Sequence, residues 1–280
     1  MKIKDIDIYA IDIPRSDTLK TSYGSNDTAT TILTIIKTDE GIDGYGQASV
    51  DAPFYGETAE SMVVNLKKHV KPNIIGLNPL NHTNVLSVIN QNLPFNNHTF
   101  TISAIDMALW DLKGKIMNTP LYNLLGGKIN EGIKLMGFVH HDTPSEMANH
   151  AKEIIKNKRY KVLKMKIGMN PSDDIKRYKA VIDAIDDDVC IQVDGNTGYT
   201  IDQALPTLKI MEDLGKLGAI EQPVYRNKDM TTLAQHLNTP MMADEAIYGP
   251  IDAIDIIDNK SASLALMKIS KHGGITSVNN

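Results

Sequence analysis

The second half of the chain, from residue 133 onward, alternates between short apolar runs and longer segments whose apolar residues recur every three or four positions. Short apolar runs are typical of buried strands, and the longer period is typical of helices. The pattern predicts strands at 133–139, 162–167, 189–194, 219–221, 241–244 and 264–268, and helices at 145–157, 173–184, 201–214, 230–237 and 251–257. Repeated strand–helix units indicate a parallel, TIM-like α/β barrel with all strand ends on one face.

The first part of the chain has a different pattern. Residues 3–13 alternate between polar and apolar, and two further strands at 30–38 and 42–49, joined by a turn, predict an antiparallel hairpin. The period then becomes helical at 58–69, 82–90 and 101–117, and polar segments at 17–27 and 51–56 are predicted to be loops. We place the domain boundary after residue 127, with an α+β domain at 1–127 and a barrel domain at 128–280.

The barrel half is short for its fold. A closed eight-stranded barrel usually needs about 250 residues, whereas residues 133–280 supply only six strands. Two interpretations remain open at this point: the sequence is a fragment of a longer chain, or the barrel is open and hides two strand edges in another way.

Composition and charge narrow the classes of partner. The formal net charge of −5 comes without a block of lysine or arginine, which argues against nucleic acid and anionic membranes. No apolar run is long enough to cross a bilayer, the N-terminus does not resemble a signal peptide, and the single cysteine excludes an intrachain disulfide. We therefore expect a cytoplasmic protein that acts on a small molecule.

Carboxylates end three successive predicted strands. Asp194, Glu221 and Asp244 each follow an apolar run. Because strand ends meet on one face, three carboxylates would repel one another there unless a cation neutralised them. Oxygen ligands without histidine or cysteine indicate Mg²⁺, with Mn²⁺ as the alternative. Each acid taken singly also fits a turn or a helix cap, so it is their succession that favours a metal site.

Lysines lie at the same strand ends. Lys164 and Lys166 are two residues apart and therefore point to the same face, and Lys268 ends the last predicted strand. A divalent cation on a substrate carboxylate would stabilise the enediolate formed when the α-proton leaves. It would also lower the pKa of nearby lysines from about 10.4, as a base requires. One lysine would remove the proton and the other would return one to the opposite face.

A helix and six short motifs occur in order along the chain. They are AIDMALWDLKGK at 104–115, LLGG at 124–127, KMK at 164–166, DGN at 194–196, EQP at 221–223, DE at 244–245 and KISKHGG at 268–274. Each motif alone is unspecific. In this order they resemble the enolase superfamily over the whole chain, and specifically its muconate lactonizing enzyme-like subgroup. Enolase-superfamily sites use a Lys or His base with one or two Mg²⁺ ions.

The resemblance implies a modified (β/α)₇β barrel, C-terminally incomplete in this chain, with an N-terminal α+β capping domain. It implies that Asp194, Glu221 and Asp244 bind Mg²⁺ and that Lys166 and Lys268 form the acid/base pair. Further site residues follow by position. Lys164 would tune Lys166 or contact the substrate carboxylate. Asn196 and Glu245 would be supporting groups, and Tyr23, Phe54 and Tyr55 would lie in capping loops over the substrate.

Two opposed lysines favour racemisation or epimerisation, because each hand of the substrate needs its own base. The residues of the motifs most resemble those of epimerases that act on N-modified amino acids such as dipeptides or betaines. Alternatives within the subgroup are a muconate-type cycloisomerase and an o-succinylbenzoate synthase-like dehydratase. A relative that binds a carboxylate without catalysis is the alternative from another class. We also expect a homo-oligomer.

Overall fold

The computed structural model describes residues 1–21, 24–50, 56–93, 98–158 and 160–279, with the backbone alone at 16–21, 24–26 and 158. The chain forms two compact units. The first comprises Met1–Asp17, Asp27–Glu131 and Met267–Asn280, and the second comprises Thr18–Asn26 and Gly132–Leu266. The domain limits 1–127 and 128–280 stay a prediction, and by its contacts Met267–Asn280 falls in the first unit.

The first unit contains a three-stranded sheet in the order β1 (Ile3–Thr21), β2 (Gly24–Thr38) and β3 (Asp43–Ser49). Strands β2 and β3 are antiparallel over Thr31–Lys37, which confirms the predicted hairpin. The loop predicted at 17–27 is wrong, since strand runs to Thr21 and resumes at Gly24. Polar residues indicate exposure, and exposure does not distinguish a loop from a strand whose side chains face solvent.

Helices complete this unit. They are α1 (Ala59–Val64), continued by a π-helical segment (Asn65–Val70) and α2 (Lys71–Ile74), then α3 (His82–Asn92), α4 (Thr99–Ile116) and α5 (Leu121–Leu124). The predicted helices at 58–69, 82–90 and 101–117 are thus confirmed, with shifted ends. Helix α4 lies directly on the sheet, because a Cβ at Gly46 would be 2.0 Å from the Ala104 carbonyl oxygen. Only glycine permits this approach, and the Thr34 hydroxyl donates to the same carbonyl at 2.7 Å.

The second unit contains a six-stranded parallel sheet. Its strands are β4 (Gly137–Val139), β5 (Val162–Lys166), β6 (Cys190–Asp194), β7 (Leu217–Glu221), β8 (Met241–Ala243) and β9 (Leu264–Ala265), hydrogen-bonded in chain order. Between them lie α6 (Pro144–Lys158), α7 (Pro171–Ile182), α8 (Ile201–Leu214), α9 (Asn227–His236) and α10 (Pro250–Asn259). This order confirms the parallel, TIM-like prediction.

Two predicted strands have the wrong limits. The strand expected at 133–139 begins at Gly137, and the strand expected at 264–268 ends at Ala265. Lys268 instead starts a turn, in which its carbonyl accepts the His272 N–H at 3.1 Å. An apolar run does not show where strand pairing stops, because that depends on the neighbouring strand.

Apolar side chains pack on one face of the central strands. Leu163, Met165, Ile191 and Val193 are fully buried in the core of the second unit. They occupy alternate, paired positions on β5 and β6 and therefore share a face. Among the described helices, none has the length and apolar character needed to cross a membrane.

Candidate active site

The register of the parallel strands aligns charged side chains across the sheet. Lys166 on β5 pairs with Asp194 on β6, and Asp194 pairs with Glu221 on β7. Two residues earlier along the strands, Lys164 pairs with Gln192. Paired residues in a sheet point to the same face. The carboxyl ends of three strands therefore direct lysines and carboxylates into one place.

These side chains form a continuous network of ion pairs. Lys164 Nζ lies 2.8 Å from Asp194 Oδ2 and 2.6 Å from Glu221 Oε2. Lys166 Nζ lies 2.7 Å from the same Asp194 oxygen and donates to Asn196 Oδ1 at 2.6 Å. Asp194 and Glu221 are fully buried. Buried charges are tolerated only when they are paired, as they are here. The structure thus brings together five of the predicted site residues, Asn196 among them.

The pKa values of Asp194 and Glu221 shift in opposite directions. Burial alone would raise the pKa of Asp194, but Lys166 and Lys164 outweigh it and hold that pKa below its usual range. Burial and the charge of Asp194 raise the pKa of Glu221. Burial opposes the charge of Lys164, yet Asp194 and Glu221 raise its pKa. The lowered pKa expected from the sequence concerned a lysine beside a cation, whereas the neighbours of Lys164 here are carboxylates.

The third predicted ligand lies just after β8. Asp244 is fully buried, and its charge adds to those that raise the pKa of Glu221. Gln222 Oε1 accepts the backbone N–H of Asp244 at 3.0 Å, which fixes the start of this loop. Glu245 Oε1 accepts from Asn196 Nδ2 at 3.0 Å, while its other oxygen is buried and has no hydrogen-bond partner within the described part of the chain.

The side chains at this site are of the chemical type that binds a hard divalent cation. Three fully buried carboxylates and the unpartnered oxygen of Glu245 form the oxygen-rich donor set that Mg²⁺ prefers. In the conformation described, however, no three or more His, Cys, Asp or Glu side chains among the described residues are grouped closely enough to hold a metal. In this conformation the Lys164 ammonium contacts both Asp194 and Glu221.

Lys268 belongs to the first unit. Its half-buried side chain lines a cavity of about 570 Å³ together with Gln47, Ser49, Phe100 and Met107. Its role as the second acid/base group stays a prediction. The predicted substrate-loop residues Tyr23, Phe54 and Tyr55 lie outside the described residues.

The sequence did not reveal the buried acid that holds the loop after Lys166. Asp174 Oδ2 accepts the backbone N–H groups of Gly168 and Met169 at 3.1 and 3.2 Å and the hydroxyl of Tyr199 at 2.6 Å. Burial and then the charge of Asp174 raise the pKa of Tyr199, which keeps this hydroxyl a donor. The only signal in the sequence was an aspartate in the first turn of a predicted helix, where exposed aspartates are also common.

Replacing Asp174 with alanine is expected to lower the free energy of unfolding by about 2–4 kcal/mol, because buried N–H donors would lose their acceptor. Urea unfolding followed by far-UV circular dichroism measures the change. Asp173→Ala is the matched control: this neighbour has a half-exposed side chain and pairs with Lys176 at 2.9 Å, so its loss should change stability by less than about 0.5 kcal/mol. Equal losses would show that the loop contacts of Asp174 do not stabilise the fold.

Family models match both parts of the chain. Residues 5–126 match the mandelate racemase / muconate lactonizing enzyme N-terminal domain, and residues 146–280 match the enolase C-terminal domain-like family. Together these models account for most of the sequence, including every motif from 104–115 to 268–274 except the last residue of LLGG, Gly127. Their order is the one that the sequence predicts.

Individual relatives agree with this match. The chain is 34% identical to an N-succinyl-L-Arg/Lys racemase of Bacillus cereus, over 98% of this chain and 74% of the racemase. It is 31% identical to an L-Ala-D/L-Glu epimerase of Clostridium acetobutylicum, over 98% of this chain and 76% of the epimerase. A crystal structure of an Enterococcus faecalis dipeptide epimerase, complexed with Mg and L-Leu-L-Tyr, superposes with a TM-score of 0.93 at 30% identity, over 100% of this chain and 78% of that one.

Proposed function

Because this chain belongs to the mandelate racemase/muconate lactonizing enzyme family of the enolase superfamily, we propose that it is an Mg²⁺-dependent racemase or epimerase. Its substrate is a carboxylate with a hydrogen on the α-carbon, namely an N-modified amino acid, a dipeptide or a betaine. Relatives named as racemases and epimerases of such compounds support this class.

One observation carries the proposal: Lys166 lies beside Asp194, in a network that also holds Lys164 and Glu221. A site for binding a carboxylate alone needs positive charge but no acids. A site for removing an α-proton needs a base together with groups that hold a cation. The second description fits this network better, because its fully buried carboxylates are of the kind that binds Mg²⁺.

Asp194, Glu221 and Asp244 would hold the Mg²⁺, which when bound neutralises the charge that develops on the substrate carboxylate as the α-proton leaves. Asp194 and Asn196 hold the Nζ of Lys166 in position. Asn196 is in turn oriented by its bond to Glu245.

The lysines move the protons. Neutral Lys166 takes the α-proton from one face of the substrate, and protonated Lys268 gives a proton to the other face. The two lysines have then exchanged protonation states, so the reverse reaction starts from the opposite pair. One proton is removed and one is added, and the configuration at the α-carbon is inverted.

Finer points stay predictions. Mn²⁺ as an alternative ion, homo-oligomerisation and a cytoplasmic location are expectations from the sequence. The cycloisomerase and dehydratase alternatives use the same lysines and the same metal, so the network of Lys164 and Lys166 does not separate them from epimerisation.

The test is incorporation of deuterium from D₂O in the presence of Mg²⁺. N-succinyl amino acids, dipeptides, betaines and cis,cis-muconate are incubated with the chain and followed by ¹H NMR and chiral chromatography. We expect loss of the α-proton signal and formation of the opposite hand for at least one amino-acid derivative. Lactone formation from muconate without α-exchange elsewhere would favour the cycloisomerase, and saturable binding without any reaction would favour the non-catalytic relative.

A further inference from the structure

Asp106 is a fully buried carboxylate in helix α4 that the proposed chemistry does not use. His82 Nε2 lies 2.8 Å from its Oδ1, and the Thr276 hydroxyl donates to the same oxygen at 2.5 Å. The Thr276 backbone N–H donates to Oδ2 at 3.1 Å. A buried carboxylate is stable only with such donors. The contacts join two segments that are 170 residues apart in the chain.

Trp110, one helical turn after Asp106, joins the same cluster. Its indole N–H donates to Thr276 Oγ1 at 2.8 Å, and its ring centre lies 5.1 Å from that of His82. Residues four apart lie on the same face of a helix. The Thr276 hydroxyl therefore accepts from Trp110 and donates to Asp106 at once, which fixes its orientation.

From this cluster the chain runs back to Lys268 through a tight turn. Gly274 has a φ of +113°, and a Cβ there would lie 2.3 Å from Asp106 Oδ2, so only glycine fits. Within the turn, the Gly274 N–H donates to the Ile269 carbonyl at 2.9 Å and the His272 N–H donates to the Lys268 carbonyl at 3.1 Å. The backbone that carries Lys268 is thus hydrogen-bonded to the segment that Asp106 holds.

We propose that Asp106 is a positioning residue for Lys268, acting through Thr276 and the turn at 268–274. This inference rests on the proposed function, in which Lys268 serves one face of the substrate and Lys166 the other. Displacing a reacting group by about 1 Å can cost roughly 10²-fold in rate. Loosening the cluster should therefore slow exchange from the hand that Lys268 serves. The other hand should change little, because Asp194 and Asn196 hold Lys166.

The test variant is Thr276→Val, which removes the bridging hydroxyl and keeps the size of the side chain. Lys268→Ala first identifies the hand that Lys268 serves. Exchange of the α-proton is then measured separately for each hand. We expect a fall of about 10-fold or more for that hand and less than about 2-fold for the other. Thr276→Ser keeps the hydroxyl and should restore the rate.

Ser277→Ala is the matched control, because Ser277 is the exposed neighbour on the same short helix, Ile275–Asn279. Asp106→Asn, which keeps one acceptor oxygen, should give the same asymmetry as Thr276→Val. Equal losses from both hands, or no loss from either, would overturn the positioning role and leave only a structural one.

Amide hydrogen exchange of residues 268–276 tests the same contact without turnover. We expect faster exchange in Thr276→Val than in Ser277→Ala or the unaltered chain, because opening of this segment needs less free energy once the bridge is lost. Unchanged protection in Thr276→Val overturns the inference whatever the activity. Faster exchange together with an unaltered chain that reacts with neither hand supports the contact and contradicts the proposed function instead.

Discussion

Replacing Lys166 with alanine is expected to lower the rate of α-proton exchange by about 10²–10⁴-fold for the hand of substrate that this lysine serves, which is the usual contribution of a positioned base. The fold should survive, because Lys164 still pairs with Asp194 and Glu221. The measurement is deuterium incorporation from D₂O into each enantiomer separately, with Mg²⁺ present and the folded state checked by circular dichroism.

Lys176→Ala is the control for Lys166→Ala, since Lys176 is an exposed lysine on helix α7 that pairs with Asp173 on the same helix. Its loss should leave both rates unchanged. The same comparison with Lys268→Ala should remove exchange from the opposite hand. If Lys166→Ala and Lys268→Ala both still exchange the α-protons of both hands at the original rates, the two lysines are not the acid/base pair.

Removal of the metal is also expected to lower the rate of α-proton exchange strongly. A divalent cation on the substrate carboxylate contributes several kcal/mol to the transition state, and each ~1.4 kcal/mol changes the rate tenfold. EDTA should therefore lower α-proton exchange by about 10²–10³-fold or more, and added Mg²⁺ should restore it. Full activity in protein shown by elemental analysis to lack divalent metal would contradict this role.

Glu221→Gln should reproduce this loss and should not be rescued by Mg²⁺, because an amide cannot supply the negative charge of the lost ligand. Titration calorimetry measures Mg²⁺ binding independently of activity. Glu146→Gln is the matched control, since Glu146 is exposed in the first turn of α6. We expect weaker Mg²⁺ binding for Glu221→Gln alone. Equal affinities in both variants would remove Glu221 from the metal site.

The features that the sequence predicts correctly are those that depend on neighbouring residues along the chain. Lys166, Asp194 and Glu221 each end an apolar run, and the period of those runs predicts strands from neighbouring residues alone. Parallel pairing then places these ends together. The fold class and the proximity of these three groups could therefore be predicted from the sequence.

Contacts between distant segments could not be derived in this way. The salt bridges of Lys164 depend on the register of three strands, and the bonds of Asp174 depend on the path of a loop. A predicted strand end at Lys268 was wrong, because strand length depends on the neighbouring strand rather than on an apolar run.

The sequence alone determined the alternation of strands and helices, the chemical type of the groups at the strand ends and the family they indicate. These depend on local periodicity and on the order of motifs along the chain. Only the tertiary structure decided which of these groups touch, that Lys164 bridges two of the acids, and that Asp106 holds Thr276 from 170 residues away. Such contacts arise from close packing of segments that are remote in sequence, and no local pattern records them.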